Sequence, residues 1–209
     1  MNVIGFDDGP FPRGHRGDVL LVGAVCSRTR LDGVVSAHVR RDGADATRRM
    51  ADLVQGSPFC EHVRAVMLQG IAVGGFNVVD IRGLSDRLGV PVLVIVRRPP
   101  DLQAVRRALF SDAPAMRPAV RGAARKWRLI EQAGPIEPLG VSRRSAKRTA
   151  ITGLRSAPQR LWVQRAGLSL EDARTLVAAT TLHGNVPEPL RLAHLIAGGI
   201  ALGRSRGRP

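Results

Sequence analysis

The chain has 209 residues and a formal net charge of +15, from 32 Lys and Arg against 17 Asp and Glu. Its length fits one domain, and its 44% hydrophobic content excludes a disordered chain. The positive charge favours an acidic partner such as a phosphodiester polymer. Tyr is absent and Trp and Phe total only seven, which argues against a broad aromatic platform that stacks unpaired bases.

The positive charge is concentrated in the middle of the chain. Residues 97–165 hold 16 cations and 4 anions, whereas residues 1–96 hold 11 cations and 10 anions. We expect one domain over residues 1–203 that carries this basic segment, followed by a frayed basic tail at residues 204–209. Within the segment, the densest group of cations predicts a surface that binds nucleic-acid phosphates. That group consists of Arg143, Arg144, Lys147 and Arg148.

No targeting or membrane segment is visible. The first eight residues lack the basic start and apolar run of a secretory signal, and no stretch is apolar for the ~20 residues that a membrane span needs. We therefore expect a cytoplasmic protein without a membrane partner. The sequence leaves the oligomeric state open.

The first half of the chain alternates between strand and helix patterns. Apolar and alternating runs predict strands at residues 2–8, 19–25, 34–39, 65–68 and 90–96. The Asp32-Gly33 turn joins the second strand to the third, so the first three strands form an antiparallel group. A helix at residues 45–54 and a segment at residues 77–88 separate the later strands, as in parallel βαβ units. The predicted fold is α/β, a mixed sheet flanked by helices.

The second half is more helical. Its pattern predicts helices at residues 102–110, 118–130, 169–181 and 189–200, and a short strand at residues 161–164. Ser169 is the predicted N-cap of the third of these helices, with acids in its first turn. A loop is expected around residues 134–158.

Several acids lie where strands are expected to end. Asp7 and Asp8 close the first strand, and Asp42 and Asp45 lie between the third strand and the first helix. If these strands are neighbours, the carboxylates meet at one edge of the sheet and form a site for Mg²⁺ or Mn²⁺, with Asp80 as a further candidate ligand. Turn and capping roles explain each acid separately, and this alternative stays open.

A glycine-rich segment follows the strand at residues 65–68. Gly70, Gly74, Gly75 and Asn77 precede a helical pattern, where backbone amides can approach a phosphate. The glycine spacing matches neither of the common nucleotide-binding loops, so a tight crossover is an equal alternative.

The last helix is preceded by a rigid Pro-Glu-Pro entry. Arg191 and His194 share one face of this helix because they are three residues apart. A lone His on an apolar helix is more often a packed residue than a catalytic one, so composition alone does not make His194 catalytic.

Four segments, taken together and in order, resemble an uncharacterised archaeal family of endonuclease V-like proteins. They are residues 4–11, 41–47, 67–80 and 187–194, and the resemblance extends over residues 4–205. Through that family the chain is similar to endonuclease V, which implies an RNase H-like fold and Mg²⁺-dependent hydrolysis of a phosphodiester near a deaminated purine such as inosine.

The resemblance also implies roles for single residues. Asp7 matches the metal-binding aspartate of the first strand, and Asp42 falls near a metal-linked glutamate. Asp7, Asp42 and His194 are therefore the candidate catalytic residues. Arg191, in the matching carboxy-terminal segment, is a candidate for phosphate binding.

The chain departs from the endonuclease V pattern at three places, one of which is Ala166-Gly167-Leu168, where the enzyme has a Gly-His pair before its late helix. Gln69-Gly70 stands where the enzyme has an Asp-Gly pair, and a neutral amide should hold Mg²⁺ more weakly than a carboxylate does. Asp80 and His194 are candidates to compensate. The aromatic wedge with which the enzyme opens its substrate has no clear counterpart, in agreement with the absence of Tyr.

The leading hypothesis is therefore a DNA- or RNA-binding protein that cleaves its substrate with Mg²⁺ or Mn²⁺. One alternative is a catalytically inactive nucleic-acid-binding module. Another is an enzyme that acts on a small phosphorylated metabolite held by the segment at residues 70–77.

Overall fold

The computed structural model describes residues 1–110, 120–140, 161–182 and 184–206. The strands are β1 (Asn2–Asp8), β2 (Asp18–Ser27), β3 (Arg30–Arg40), β4 (Val63–Gln69), β5 (Ala72–Val73), β6 (Asn77–Val78), β7 (Val92–Val96), β8 (Glu137–Leu139) and β9 (Leu161–Ala166). The helices are α1 (Ala46–Gln55), α2 (Ile81–Leu88), α3 (Leu102–Phe110), α4 (Ala123–Gln132), α5 (Leu170–Thr180) and α6 (Glu188–Leu202).

Seven strands form one mixed sheet in the order β3-β2-β1-β4-β7-β9-β8, and β5 pairs with β6 in a separate hairpin. The strands β1, β2 and β3 pair antiparallel, whereas β4 is parallel to both β1 and β7. This arrangement confirms the predicted RNase H-like sheet, in which three antiparallel strands precede parallel strands joined by a helix.

The sheet extends further than the sequence pattern predicts. Strand β9 pairs antiparallel with β7 and also with β8, which lies inside the stretch predicted as a loop at residues 134–158. The sequence signal for β8 is weak because the strand has only three residues and contains Pro138, which an edge strand tolerates. Helix α4 begins at residue 123 instead of 118, after Gly122 in the left-handed conformation with φ of 73°.

Helices cover both faces of the sheet, and strand alternation separates the two cores. On β1, Ile4 and Phe6 belong to the core that contains Met50 of α1. Val3 belongs to the other core, which contains Leu190 of α6. Because successive side chains of a strand point to opposite faces, Asp7 lies on the α6 side and Asp8 on the α1 side.

Helix α6 packs very closely against β1. A Cβ atom on Gly5 would lie 2.4 Å from the carbonyl carbon of Pro189, so only glycine allows this approach. The contact brings the first two turns of α6 onto the end of β1. No helix in the described part of the chain is long and apolar enough to cross a membrane.

Candidate metal and catalytic site

The centre of the candidate site is formed by the ends of two neighbouring parallel strands. Phe6 of β1 lies opposite Leu68 of β4, so the next residues, Asp7 and Gln69, follow side by side where the two strands end. Gln69 lies on the same face as Met67, whose side chain belongs to the α6-side core. The fold therefore places Asp7 and Gln69 on one face, at the edge where parallel strands end.

His194 of α6 completes this group. Its Nδ1 atom lies 2.8 Å from Oδ2 of Asp7 and can donate a hydrogen bond to that carboxylate. The contact joins residues 187 positions apart in the chain. The structure thus brings together two of the three predicted catalytic residues, Asp7 and His194.

The Pro-Glu-Pro entry explains how α6 is held in place. Pro187 is the N-cap, and Glu188 is only 2% exposed. Arg191 forms a bidentate ion pair with Glu188, with Nη2 2.6 Å from Oε2 and Nε 3.0 Å from Oε1. Arg191 is one of the residues predicted to bind phosphate. Its guanidinium group is instead paired within α6, which fixes the first turn of the helix that carries His194.

Asp7, Asp8, Gln69 and His194 line one open cleft of about 910 Å³. Burial raises the pKa of Asp7, while the hydrogen bond and the charge of His194 oppose this shift. Burial, and then the neighbouring charge of Asp7, raise the pKa of Asp8 to about 6. Two acids that resist ionisation in one cleft are suited to a cation, because a positive charge stabilises both carboxylates.

Gln69 supplies a separate observation in favour of a cation. Its Oε1 atom is buried and has no hydrogen-bond partner among the described residues. An unpaired buried oxygen is unfavourable unless a ligand binds it. Gln69 is not among the predicted site residues, because in the sequence it stands out only as a departure from a family pattern. Its position at the end of a buried strand was the signal that could have placed it there.

The oxygen ligands in this cleft fit a hard divalent cation, although the small number of charged side chains limits how strongly the cation binds. Mg²⁺ binds carboxylate and amide oxygens and keeps several waters. In the described residues, no three His, Cys, Asp or Glu side chains are grouped closely enough to hold a metal ion. An ion held here would therefore use the carboxylates of Asp7 and Asp8, the amide oxygen of Gln69 and water.

The other predicted metal ligands lie elsewhere. Asp42, Asp45 and Asp80 line a different cavity, on the α1 side of the sheet. Asp80 caps α2 by accepting a hydrogen bond of 2.9 Å from the Gly83 amide. The structure therefore does not bring these three acids into the Asp7 cleft.

Asp42 and Asp45 are bonded to the chain itself. Asp42 adopts a φ of 52° and accepts a 2.8 Å hydrogen bond from the Phe76 amide. Asp45 accepts a hydrogen bond of 2.7 Å from Asn77. Both carboxylates thus hold the connection between β3 and α1 against the β5–β6 hairpin, and Asp45 stands at the N-cap of α1 without a side-chain hydrogen bond to the helix.

The glycine-rich segment forms this hairpin, and its polar groups already have partners. The Gly74 amide donates to Asp8, and a Cβ atom on Gly75 would lie 2.4 Å from Oδ1 of Asp42. Asn77 is fully buried and accepts a 3.0 Å hydrogen bond from the Ala46 amide. The amides of Gly74 and Phe76 and the side chain of Asn77 thus bind acids of the same chain, and the hairpin connects Asp8 to the start of α1. Gly70, the remaining residue of the predicted phosphate loop, donates its amide to Ile95.

Two cations near the cleft were missed because the tail was expected to be frayed. Arg204 and Arg206 follow α6 and line the cleft together with Asp7. A short contact between the tail and α6 is visible at Gly198, where an added Cβ would lie 2.7 Å from Oγ of Ser205. Arg143, Arg144, Lys147 and Arg148, the predicted phosphate-binding group, fall outside the described residues.

The architecture defines an RNase H-like protein with the fold of endonuclease V. A solved structure of Ciona intestinalis endonuclease V, in complex with a 24mer DNA containing an inosine followed by a ribo-adenosine, matches with a TM-score of 0.54. The two chains are 12% identical, and the match covers 92% of this chain and 82% of the other. At this identity the likeness shows a shared fold.

The chain belongs to the family described as Endonuclease dU, whose model matches residues 1–201. A UPF0215 protein of Deinococcus radiodurans is 47% identical over 99% of this chain and 92% of its own length. A crystal structure from Archaeoglobus fulgidus has a TM-score of 0.76 and 30% identity, and covers 97% of this chain and 99% of that one. The endonuclease V-like resemblance is confirmed, and the relatives include a bacterial protein as well as archaeal ones.

Proposed function

We propose that this protein is a nucleic-acid endonuclease that hydrolyses phosphodiester bonds with Mg²⁺ or Mn²⁺. The observation that carries the proposal is the grouping of Asp7, Gln69 and His194 at the ends of two parallel strands, in an open cleft. Membership of a family described as Endonuclease dU supports the same reaction class.

Asp7, Asp8 and Gln69 are the residues that would hold the cation. A bound divalent cation lowers the pKa of a coordinated water and stabilises negative charge on a phosphate. Asp42, Asp45 and Asp80, which the sequence also suggested, have no part in the proposed centre, because they line another cavity.

The imidazole of His194 has two roles, and the first is to position the carboxylate of Asp7. By donating from Nδ1, it fixes the carboxylate and favours its ionised form despite burial. The side chain of His194 is 32% exposed, so the ring is also open to the cleft, where it can transfer a proton to or from the reacting phosphodiester. Arg204 and Arg206 would neutralise substrate phosphates beside the cleavage site.

The relatives support a substrate class for this proposal. The family is described as Endonuclease dU, and a structural neighbour is bound to DNA that contains inosine. Deoxyuridine and inosine are both products of base deamination. We therefore assign the protein to nucleic acid that contains a deaminated base, with deoxyuridine in DNA as the first substrate to test.

The test uses duplex and single-stranded DNA or RNA with one deoxyuridine, uridine or inosine, in Mg²⁺, Mn²⁺ or EDTA. We expect metal-dependent cleavage by the wild-type protein and a loss of at least about a hundredfold in Asp7→Asn, which removes one ligand charge. Asp86→Asn is the matched control, because Asp86 is exposed on α2 outside the cleft. Cleavage that persists in Asp7→Asn, or that ignores EDTA, would refute the proposal.

A second candidate function is binding without cleavage. It is favoured by the neutral amide of Gln69 at a strand end where a third carboxylate would strengthen metal binding. Salt-sensitive binding of the same substrates, with no cleavage in either metal, would support this candidate in place of the first.

A further inference from the structure

A strongly cationic groove lies on the face of the sheet opposite Asp7. It has a volume of about 690 Å³ and is lined by residues of α1, α2 and α4. Its cationic residues are Arg40, Arg48, Arg87, Arg121, Arg125 and Lys126. The proposed hydrolysis uses none of them.

The acids of the groove do not neutralise these cations. Asp42, Asp45 and Asp80 also line it, which leaves the lining with a formal charge of +3. Their carboxylates are hydrogen bonded inward, to the Phe76 amide, to Asn77 and to the Gly83 amide. Arg40 and Arg48 form ion pairs with Asp18 and Asp52 outside the lining, so the unpaired positive charge of the groove lies mainly on Arg87, Arg121 and Arg125.

Three of the arginines are free to bind a ligand. The side chains of Arg87, Arg121 and Arg125 are exposed and make no hydrogen bond or ion pair with any residue that the structure describes. Unpaired like charges around one cavity repel each other, and an anion that binds between them removes this repulsion. Guanidinium groups suit phosphate oxygens because they donate two parallel hydrogen bonds.

Lys126 holds α4 against the groove. It is only 3% exposed, and its Nζ donates to the backbone oxygen of Asp42. Helix α4 starts at Gly122 without a side-chain cap and has no acidic residue in its first turn. Arg121 and Arg125 flank this uncapped helix start, whose dipole also favours an anion.

We infer that this groove binds phosphate groups of the nucleic-acid backbone, separately from the Asp7 cleft. The inference rests on the proposed function in one respect, that nucleic acid is the partner. Helices α1 and α2 begin at the same end of the sheet at which β1 and β4 end. The β5–β6 hairpin lies between the cleft and the groove, and it is hydrogen bonded to Asp8 on one side and to Asp42 on the other. An extended phosphodiester chain can contact both cavities, whereas a small phosphorylated molecule would fill one.

The experiment measures binding of a labelled duplex DNA with one deoxyuridine, in EDTA, between ~50 and ~200 mM salt. The variants are Arg87→Ala, Arg121→Ala, Arg125→Ala and the double variant of the last two. Each lost phosphate contact should lower the slope of log Kd against log salt by about 1. Arg64→Ala is the control with the same charge change, since Arg64 is exposed near the start of β4, at the opposite edge of the sheet. It should keep the wild-type slope.

Two results would overturn or redirect the inference, and two further comparisons separate it from the proposed hydrolysis. A wild-type slope in the double variant refutes it. Tight binding of inorganic pyrophosphate that the double variant loses, with an unchanged slope for duplex DNA, would assign the groove to small phosphorylated molecules. If the wild-type protein cleaves in Mg²⁺ but the slopes do not change, only the groove is refuted. If the slopes fall but nothing is cleaved, the groove stands and the hydrolysis is refuted.

Discussion

The Nδ1 atom of His194 lies 2.8 Å from Oδ2 of Asp7, which connects the last helix to the first strand at the centre of the proposed site. This contact depends on a helix that Gly5 and the Glu188–Arg191 ion pair hold in position. The chemistry of Asp7 therefore depends on residues at the two ends of the chain.

His194→Asn and His194→Ala separate the two roles of this imidazole. The amide nitrogen of Asn can occupy the position of Nδ1 and donate to Asp7, whereas Ala cannot. If positioning of Asp7 is the larger effect, His194→Asn should cleave at least about tenfold faster than His194→Ala. The readout is single-turnover cleavage as a function of pH. Equal losses in both variants would instead assign His194 to proton transfer.

Gly5→Ala tests whether the approach of α6 to β1 is required. The added Cβ would lie 2.4 Å from the carbonyl carbon and 2.6 Å from the oxygen of Pro189, and backbone atoms cannot yield as a side chain can. We expect a loss of about 2 kcal/mol or more in the free energy of unfolding. Cleavage should fall further than the unfolded fraction explains, because His194 moves away from Asp7.

Gly199→Ala is the matched control in the same helix. No atom lies within 4 Å of a Cβ at that position. Alanine has the higher helix propensity, so this variant should be stabilised by about 0.5–1 kcal/mol. A Gly5→Ala protein as stable and active as the Gly199→Ala protein would contradict the role given to Gly5.

The sequence predicted the sheet well because its strands are long apolar runs. The turn between β2 and β3 was predicted wrongly, since it falls at residues 28–29 and the predicted Asp32-Gly33 pair lies inside β3. Residues 2–8 were predicted as a strand and form β1, so the alternation of Asp7 and Asp8 between faces follows from period two. The location of Asp42 could not be predicted, because it depends on a hydrogen bond to Phe76, 34 residues away in a hairpin of two-residue strands. For Arg191 the signal existed, since Glu188 lies three residues earlier on the same helix.

Gln69→Leu tests whether the unpaired amide oxygen is a ligand. In EDTA the variant should be about 1 kcal/mol more stable than the wild type, since it removes a buried oxygen that lacks a hydrogen bond. Mg²⁺ should then raise the Tm of the wild type more than that of the variant, because binding to the native state stabilises it. An equal Mg²⁺-dependent rise in both proteins would exclude Gln69 as a ligand.

Gln164→Leu provides the contrast for this measurement. Gln164 is 7% exposed, and its amide donates a 2.8 Å hydrogen bond to the Gly134 carbonyl. The same substitution should therefore destabilise the protein by about 1 kcal/mol, because it removes a bond that is made. Its response to Mg²⁺ should match that of the wild type.

Asp8→Asn should stabilise the metal-free protein above pH 6 and have little effect near pH 4. Burial, and then the charge of Asp7, raise the pKa of Asp8 to about 6 in the folded protein, above its ordinary value of 3.8. The folded state therefore holds the proton more tightly than the unfolded state, and wild-type stability falls as the pH rises from about 4 to about 6. Asn cannot ionise, and its side-chain oxygen can still accept from the Gly74 amide. At pH 7.5 we expect Asp8→Asn to be more stable by about 1–2 kcal/mol, after allowance for partial exposure.

Denaturant unfolding of both proteins at several pH values in EDTA measures this difference. Asp86→Asn, which changes an exposed acid outside the cleft, should leave the pH dependence as it is in the wild type. Saturating Mg²⁺ should reverse the order at pH 7.5, since the cation stabilises the ionised pair of Asp7 and Asp8 and gains less from the amide. If Asp8→Asn raises the free energy of unfolding equally at pH 4 and pH 7.5, ionisation of Asp8 is not the cause of the increase. A gain that persists unchanged in Mg²⁺ would remove Asp8 from the cation site and leave Asp7 and Gln69 as its only protein ligands.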